Sequence, residues 1–229
     1  MAKREKVAEE PIEVKNKKSQ KEEQEKILKS ILIIIAFVAV GFFLFIVVSR
    51  SLTGFDYNGV NFETVKFCDA GPPCLVTYQT NLPVKVEGDN IIVVPTSEKT
   101  NDYNFYLRND PRNSDVDFNG KVVFRDMMVL NSEEEFICDG KGSLASANLN
   151  LLYRILGVEV ITDKNATCDP LGRYTLVNLV SGNETKIEHF WPACYTITIK
   201  DCEILEGTEK FMVETFVEVN KALKNQTNN

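Results

Sequence analysis

From Ser30 to Ser49 the chain reads SILIIIAFVAVGFFLFIVVS, a run without a charged residue. At about 1.5 Å per residue, a helix of this length spans roughly 30 Å, the thickness of a hydrocarbon core. The run is apolar on every face, whereas the core helix of a soluble protein usually keeps a polar stripe. Beyond it the period shortens. Phe55–Phe67, Leu75–Thr80, Val84–Val86 and Ile91–Val94 read as short strands punctuated by Gly, Pro and Asn. Tyr103–Arg108 is another, stopped by Asn109-Asp110-Pro111, and Lys121–Leu130 has the β-branched, apolar character of a buried strand. Phe136–Cys138 adds a short one.

The period then lengthens. Ser143 is placed to cap a helix over Leu144–Leu156, with Gly157 as its stop and Leu144, Ala147, Leu151, Leu152 and Ile155 on one face. Strands are expected at Val158–Ile161, Tyr174–Val180, Thr185–Glu188 and Tyr195–Ile199. Thr208 is placed to cap a last helix through Leu223, with Met212, Phe216, Val219 and Leu223 inward. This order predicts an α+β fold: one N-terminal transmembrane helix, then a β-rich extracytoplasmic domain with two helices in its C-terminal half. The divisions are a charged cytoplasmic tail at 1–29, the transmembrane helix at 30–49 and the α+β domain at 55–224. A subdivision near Leu130 is compatible with the pattern.

Charge sets the expected direction. Lys15, Lys17, Lys18, Lys21, Lys26 and Lys29 precede the apolar run, and only Arg50 follows it closely. The positive-inside rule then leaves the N-terminus in the cytoplasm and the domain outside. The exit VVSRSLTGF lacks a small-x-small cleavage site, which favours a signal-anchor over a cleaved signal. A pilin-like leader is the lesser alternative, since neither a Gly at the cleavage position nor a Glu just inside the helix is present. The tail before Ser30 mixes Lys and Glu with few large apolar residues, the composition of a solvated segment. From Ser51 onward there are 16 basic and 26 acidic residues. That balance argues against nucleic acid as a partner, because phosphates need cations.

The cysteines agree with an outside domain. All six, Cys68, Cys74, Cys138, Cys168, Cys194 and Cys202, follow the apolar run. An even number beyond a membrane points to disulfides. Cys68 and Cys74 bracket a Pro-containing turn and are expected to pair. Cys194 and Cys202 flank a period-two strand that would hold them about 26 Å apart, too far for a bond. With all six bonded, Cys138 takes one of these two and Cys168 takes the other. Three N-x-[ST] sequons, at Asn165, Asn183 and Asn225, lie on the same side and are glycosylation candidates.

The signal-anchor, the stretch YNFYLRNDPR and the run KIEHFWPACYTITIKDCEILEGTEKF resemble uncharacterised single-pass extracytoplasmic proteins of archaea. The resemblance implies location and carries no catalytic motif.

Candidate chemistry is sparse. Asp115-Val-Asp117-Phe-Asn119-Gly120, with Asp126 at the twelfth position, matches a calcium loop through its glycine. No helix flanks it, and Asn119-Gly120 reads better as a hairpin turn. Arg108 and Arg112 around an Asx-Pro turn have the charge to grip an anion, but turn chemistry explains them as well. His189, next to Phe190 and Trp191, is the only histidine, so a hydrolase would have to use it, and no G-x-S-x-G supplies a serine. Glu133–Glu135 reads as a solvated turn. No cofactor or metal is called for. The expected function is a membrane-anchored, non-enzymatic binding or structural component of the cell envelope, with another envelope protein or a glycan as partner. The alternatives are an anchored hydrolase around His189 and a pilin-like filament subunit.

Overall fold

The computed structural model describes residues 28–46, 54–69, 71–88, 90–132 and 136–227. Most of the charged tail, the end of the apolar run and Glu133–Glu135 lie outside the described residues. The chain forms two compact units, Met1–Leu52 and Thr53–Asn229. In the first, α1 (Leu28–Ile46) is one continuous helix with every side chain exposed, long and apolar enough to cross a membrane.

The second unit is α+β. Its first sheet is antiparallel and contains β1 (Gly54–Tyr57), β2 (Val60–Phe67), β3 (Leu75–Glu87), β4 (Asn90–Val93) and β5 (Asn101–Leu107). The expected strand Phe55–Phe67 is in fact a hairpin. Asn58 (φ 51°) and Gly59 (φ 85°) form its two-residue turn, and Tyr57 pairs with Val60. Both φ values are positive, the requirement that makes Asn-Gly a hairpin turn. The two expected strands at 75–80 and 84–86 are instead one strand, β3, which runs through Pro83. Along one edge β3 pairs with β2 over Leu75–Gln79 and with β4 over Val84–Glu87; along the other it pairs with β5. Pro83 sits where the first edge changes partner. Its carbonyl accepts the Val94 N–H, so its missing donor costs no ladder bond to β2.

The second sheet is mixed, in the order β6-β10-β11-β9-β7-β8. It comprises β6 (Asp117–Asn119), β7 (Met127–Ser132), β8 (Glu159–Thr162), β9 (Thr175–Gly182), β10 (Lys186–Phe190) and β11 (Cys194–Lys200). Only β10 and β11 are antiparallel; β6–β10, β11–β9, β9–β7 and β7–β8 are parallel. α2 (Lys141–Ile155) makes the crossover between β7 and β8 that parallel neighbours need. Leu130 lies inside β7, so the sheets part between Leu107 and Asp117 rather than near Leu130.

Further expectations change. Lys121–Asp126 is not strand; the Tyr195 hydroxyl takes up its backbone groups instead, accepting the Val123 N–H and donating to the Lys121 carbonyl, each at 2.8 Å. The Phe136–Cys138 strand is absent; Cys138–Gly140 is a short 3-10 turn leading into α2. Ser143 and Thr208 do not cap. α2 begins at Lys141 after Gly140, and α3 (Ile204–Thr227) begins four residues before Thr208. Thr208 is fully buried there, and its hydroxyl bonds back to the Ile204 carbonyl at 2.7 Å. α2 is also rotated from the expected face: Ala145, Leu149, Leu152 and Tyr153 are buried, while Leu151 is exposed.

The core gathers around α3. Phe105 of the first sheet meets Phe216, and Tyr195 and Phe118 of the second sheet meet Phe211. Tyr153 of α2 stacks on Phe211, and its hydroxyl meets that of Thr215. Gly207 lets α3 approach β11, since a Cβ there would lie 2.9 Å from the Ile197 side chain. A helix covered by two sheets is buried on most of its circumference, so Phe211, Val213 and Val217 join the expected inward residues.

Candidate functional site

All six cysteines are bonded, as Cys68–Cys74, Cys138–Cys202 and Cys168–Cys194. The second ties the start of α2 to the turn before α3. The third draws the 163–174 loop over the outer face of the second sheet, where Ala166, Cys168 and Tyr174 cover Val129, Leu176 and Cys194. β11 runs extended from Cys194 to Lys200, so its two flanking cysteines reach different partners.

One polar cleft lies where both sheets meet the N-terminal end of α3. The loop 108–116, the turn Asn183–Thr185, Lys200 at the end of β11, and Glu203 and Glu206 enclose about 550 Å³. Val116 is the one apolar residue on its wall. Asp110, Asp115, Glu184, Glu203 and Glu206 outnumber Arg108 and Lys200, so the wall is net negative. The Thr185 hydroxyl donates to Glu203 Oε2 at 2.6 Å and accepts the Lys200 N–H at 3.0 Å, tying the turn to the helix.

Glu209 anchors the cleft from behind. It is 2% exposed, and its carboxylate accepts the Arg108 N–H, the Asn109 N–H and the Asn109 amide at 2.8–2.9 Å. Burial pushes its carboxyl above the usual range, against those three donors, and the nearby charge of Glu206 pushes the same way. This residue was not singled out from sequence. The available signal was a carboxylate on the same helical face as Leu205, Met212, Val213 and Phe216.

The other candidates fall into place separately. Arg112 forks onto Asp110, with Nη2 2.7 Å and Nε 3.0 Å from its oxygens, and its guanidinium lies 3.9 Å over the Phe55 ring. The Arg112 fork holds the Asp110 carboxyl below its ordinary value. Asp110 also accepts the Arg112 N–H, the Asx-turn pattern. Arg112 is therefore engaged within its own turn, while Arg108 lines the net negative cleft.

Asp115 lines the cleft, Asp117 and Asn119 belong to β6, and Asp126 precedes β7. Among the described residues no three His, Cys, Asp or Glu side chains are grouped to hold a metal ion. Asn119-Gly120 is not a hairpin turn, because β6 pairs in parallel with β10 and Gly120 packs beneath the His189 ring. His189 stacks on Tyr195 with ring centres 4.6 Å apart, and its Nε2 is enclosed without a hydrogen-bond partner. A hydrolytic base needs a nucleophile within hydrogen-bond reach. Burial pushes the Tyr195 hydroxyl up to about 12, so it acts as a neutral clamp.

Asp169 is held at about 2 by its bonds from the Arg173 guanidinium and from the Arg173 and Leu171 N–H groups, which fix the 169–173 turn. Leu171, Phe190 and Trp191 are exposed at the same end of the sheet, where Gly172 abuts Pro192. The sequon residues Asn165, Asn183 and Asn225 are all exposed, the first two in turns and the third in the last turns of α3. Compared with known proteins, the chain matches no family model, no curated protein and no solved structure.

Proposed function

We propose that the chain is a membrane-anchored extracytoplasmic protein, with its N-terminus in the cytoplasm, acting as a non-enzymatic binding or structural component of the cell envelope. The observation that carries this is the complete pairing of six cysteines in a unit that follows a lipid-length apolar helix. Disulfides persist where the compartment is oxidising, and thiols in the cytosol are kept reduced. The lysines before the helix support the same direction. The likeness to single-pass extracytoplasmic proteins of archaea fits this placement. The cleft's wall of carboxylates, cations and amides offers hydrogen-bonding groups to a polar ligand, and His189, stacked on Tyr195, is not among its lining residues.

A tag added after Asn229 tests the placement. On intact cells it should bind an antibody, while a tag before Met1 should require permeabilised cells. The reverse pattern would overturn the reading.

A further inference from the structure

We infer that Asn183 carries an N-linked glycan and that the first sugars of this glycan lie in the cleft beside it. The inference rests on the extracytoplasmic placement proposed above. Two independent observations meet at this site. Asn183-Glu184-Thr185 is an acceptor sequon in the connection between β9 and β10, where Asn183 and Glu184 are exposed and Thr185 is buried. Asn183 is also on the wall of the polar cleft of about 550 Å³, within the roughly 300–1,000 Å³ typical of small-molecule sites.

The chemistry of the wall suits this occupant. Each sugar hydroxyl both donates and accepts. Carboxylates of Asp115, Glu184 and Glu203 accept from such groups, and Arg108, Lys200 and Asn113 donate to them. An apolar ligand would leave these groups desolvated without partners, at a cost. An anion would meet a net negative wall. A tethered sugar needs no intrinsic affinity beyond a modest one, because its attachment point holds it at high effective concentration.

The transfer balances with a lipid-phosphate-linked sugar as donor. The Asn183 amide nitrogen forms a bond to the anomeric carbon, and the bond from that carbon to the phosphate oxygen breaks. The lipid phosphate leaves with the electron pair, and the amide loses one proton to base. In the folded unit the Thr185 hydroxyl is committed to Glu203 and the Lys200 N–H. Transfer therefore precedes folding, and the cleft closes around sugars already attached.

The test uses the full chain purified from membranes of a host whose envelope proteins carry N-glycans. Glycopeptide mass spectrometry should find Asn183 occupied. Enzymatic release of that glycan from the native protein should be at least about tenfold slower than from the denatured protein. Asp115→Arg, which fills the cleft from an exposed position, should abolish most of that protection. An unmodified Asn183 overturns the inference, as does release at equal rates, or protection that survives Asp115→Arg. If Asn183 is bare while the C-terminal tag is exposed on intact cells, the glycan inference falls and the placement stands.

Discussion

The antiparallel sheet and the mixed sheet contribute to the same core, yet they are assembled by different routes. In the first, β1–β2, β2–β3 and β3–β4 join neighbours in sequence through short connections. In the second, β11 inserts between β9 and β10, and β6 pairs with a strand about seventy residues later in the chain. Local pairing needs only a turn that closes. Distant pairing must recover the entropy of a long loop from packing, so its register depends on what the strands bury. For the mixed sheet the buried partner is α3, and two of the three disulfides have both ends in or beside this half.

The strongest way to break the comparison is to cut the α3 contacts one sheet at a time. Phe211 faces the mixed sheet through Tyr195 and Phe118, and Phe216 faces the antiparallel sheet through Phe105. Both are fully buried. Each Phe→Ala change should cost roughly 3–5 kcal/mol. Phe211→Ala should cost more, because it also strips the stack on Tyr153. Denaturant unfolding of the two variants decides the order, and equal losses would mean that α3 does not discriminate between the sheets.

The same contrast explains what the sequence reveals. Element type follows from period, so α2, α3 and most strands are visible in the chain. The one place where turn chemistry mattered most shows the limit. Asn58-Gly59 and Asn119-Gly120 are the same dipeptide, yet the first closes a hairpin and the second does not. Flanking alternation is similar at both. What differs is the partner: β2 is adjacent in sequence, whereas β6 is claimed by β10 from far away. Likewise Tyr195, read only as a strand residue, proves also to clamp Lys121 and Val123 through its hydroxyl. The cleft was invisible for the same reason, since its walls come from three separated segments.

Removing disulfides should give a graded series. The pairs Cys138–Cys202, Cys168–Cys194 and Cys68–Cys74 close separations of 64, 26 and 6 residues. Chain entropy then predicts losses on the order of 4, 3.5 and 2 kcal/mol for the double Cys→Ala variants. Thermal unfolding of each variant checks the order. A loss at Cys68–Cys74 matching the other two would show that the antiparallel sheet depends on its staple as much as the mixed sheet does.

Glu209 joins the two halves, and its removal should be felt by both. Glu209→Ala orphans the N–H groups of Arg108 and Asn109 and should cost roughly 2–4 kcal/mol. Its pH dependence has a definite sign. The folded carboxyl is raised above its unfolded value of 4.5, so the protonated form favours folding. Its contribution is fully present below that value and is lost as pH rises through the folded one. The stability of the native protein relative to Glu209→Gln should therefore fall from about pH 4.5 toward neutrality. A gap that widened instead would mean that the three donors outweigh burial.

The smallest effect is the most discriminating for the antiparallel sheet. Gly59 has φ 85°, and a Cβ there would come within 3.3 Å of Lys224 Nζ and 3.5 Å of the Asn220 side chain. Both of these α3 residues donate to the Gly59 carbonyl. Gly59→Ala should cost about 1 kcal/mol from the left-handed backbone alone. If the turn acts only locally, Asn220→Ala should leave that cost unchanged. If the turn and α3 set each other's position, the double variant should lose less than the sum of the singles. A double-mutant cycle measures the difference. Strict additivity would make the β1–β2 hairpin a self-contained unit, folded by its own turn and merely laid against the helix.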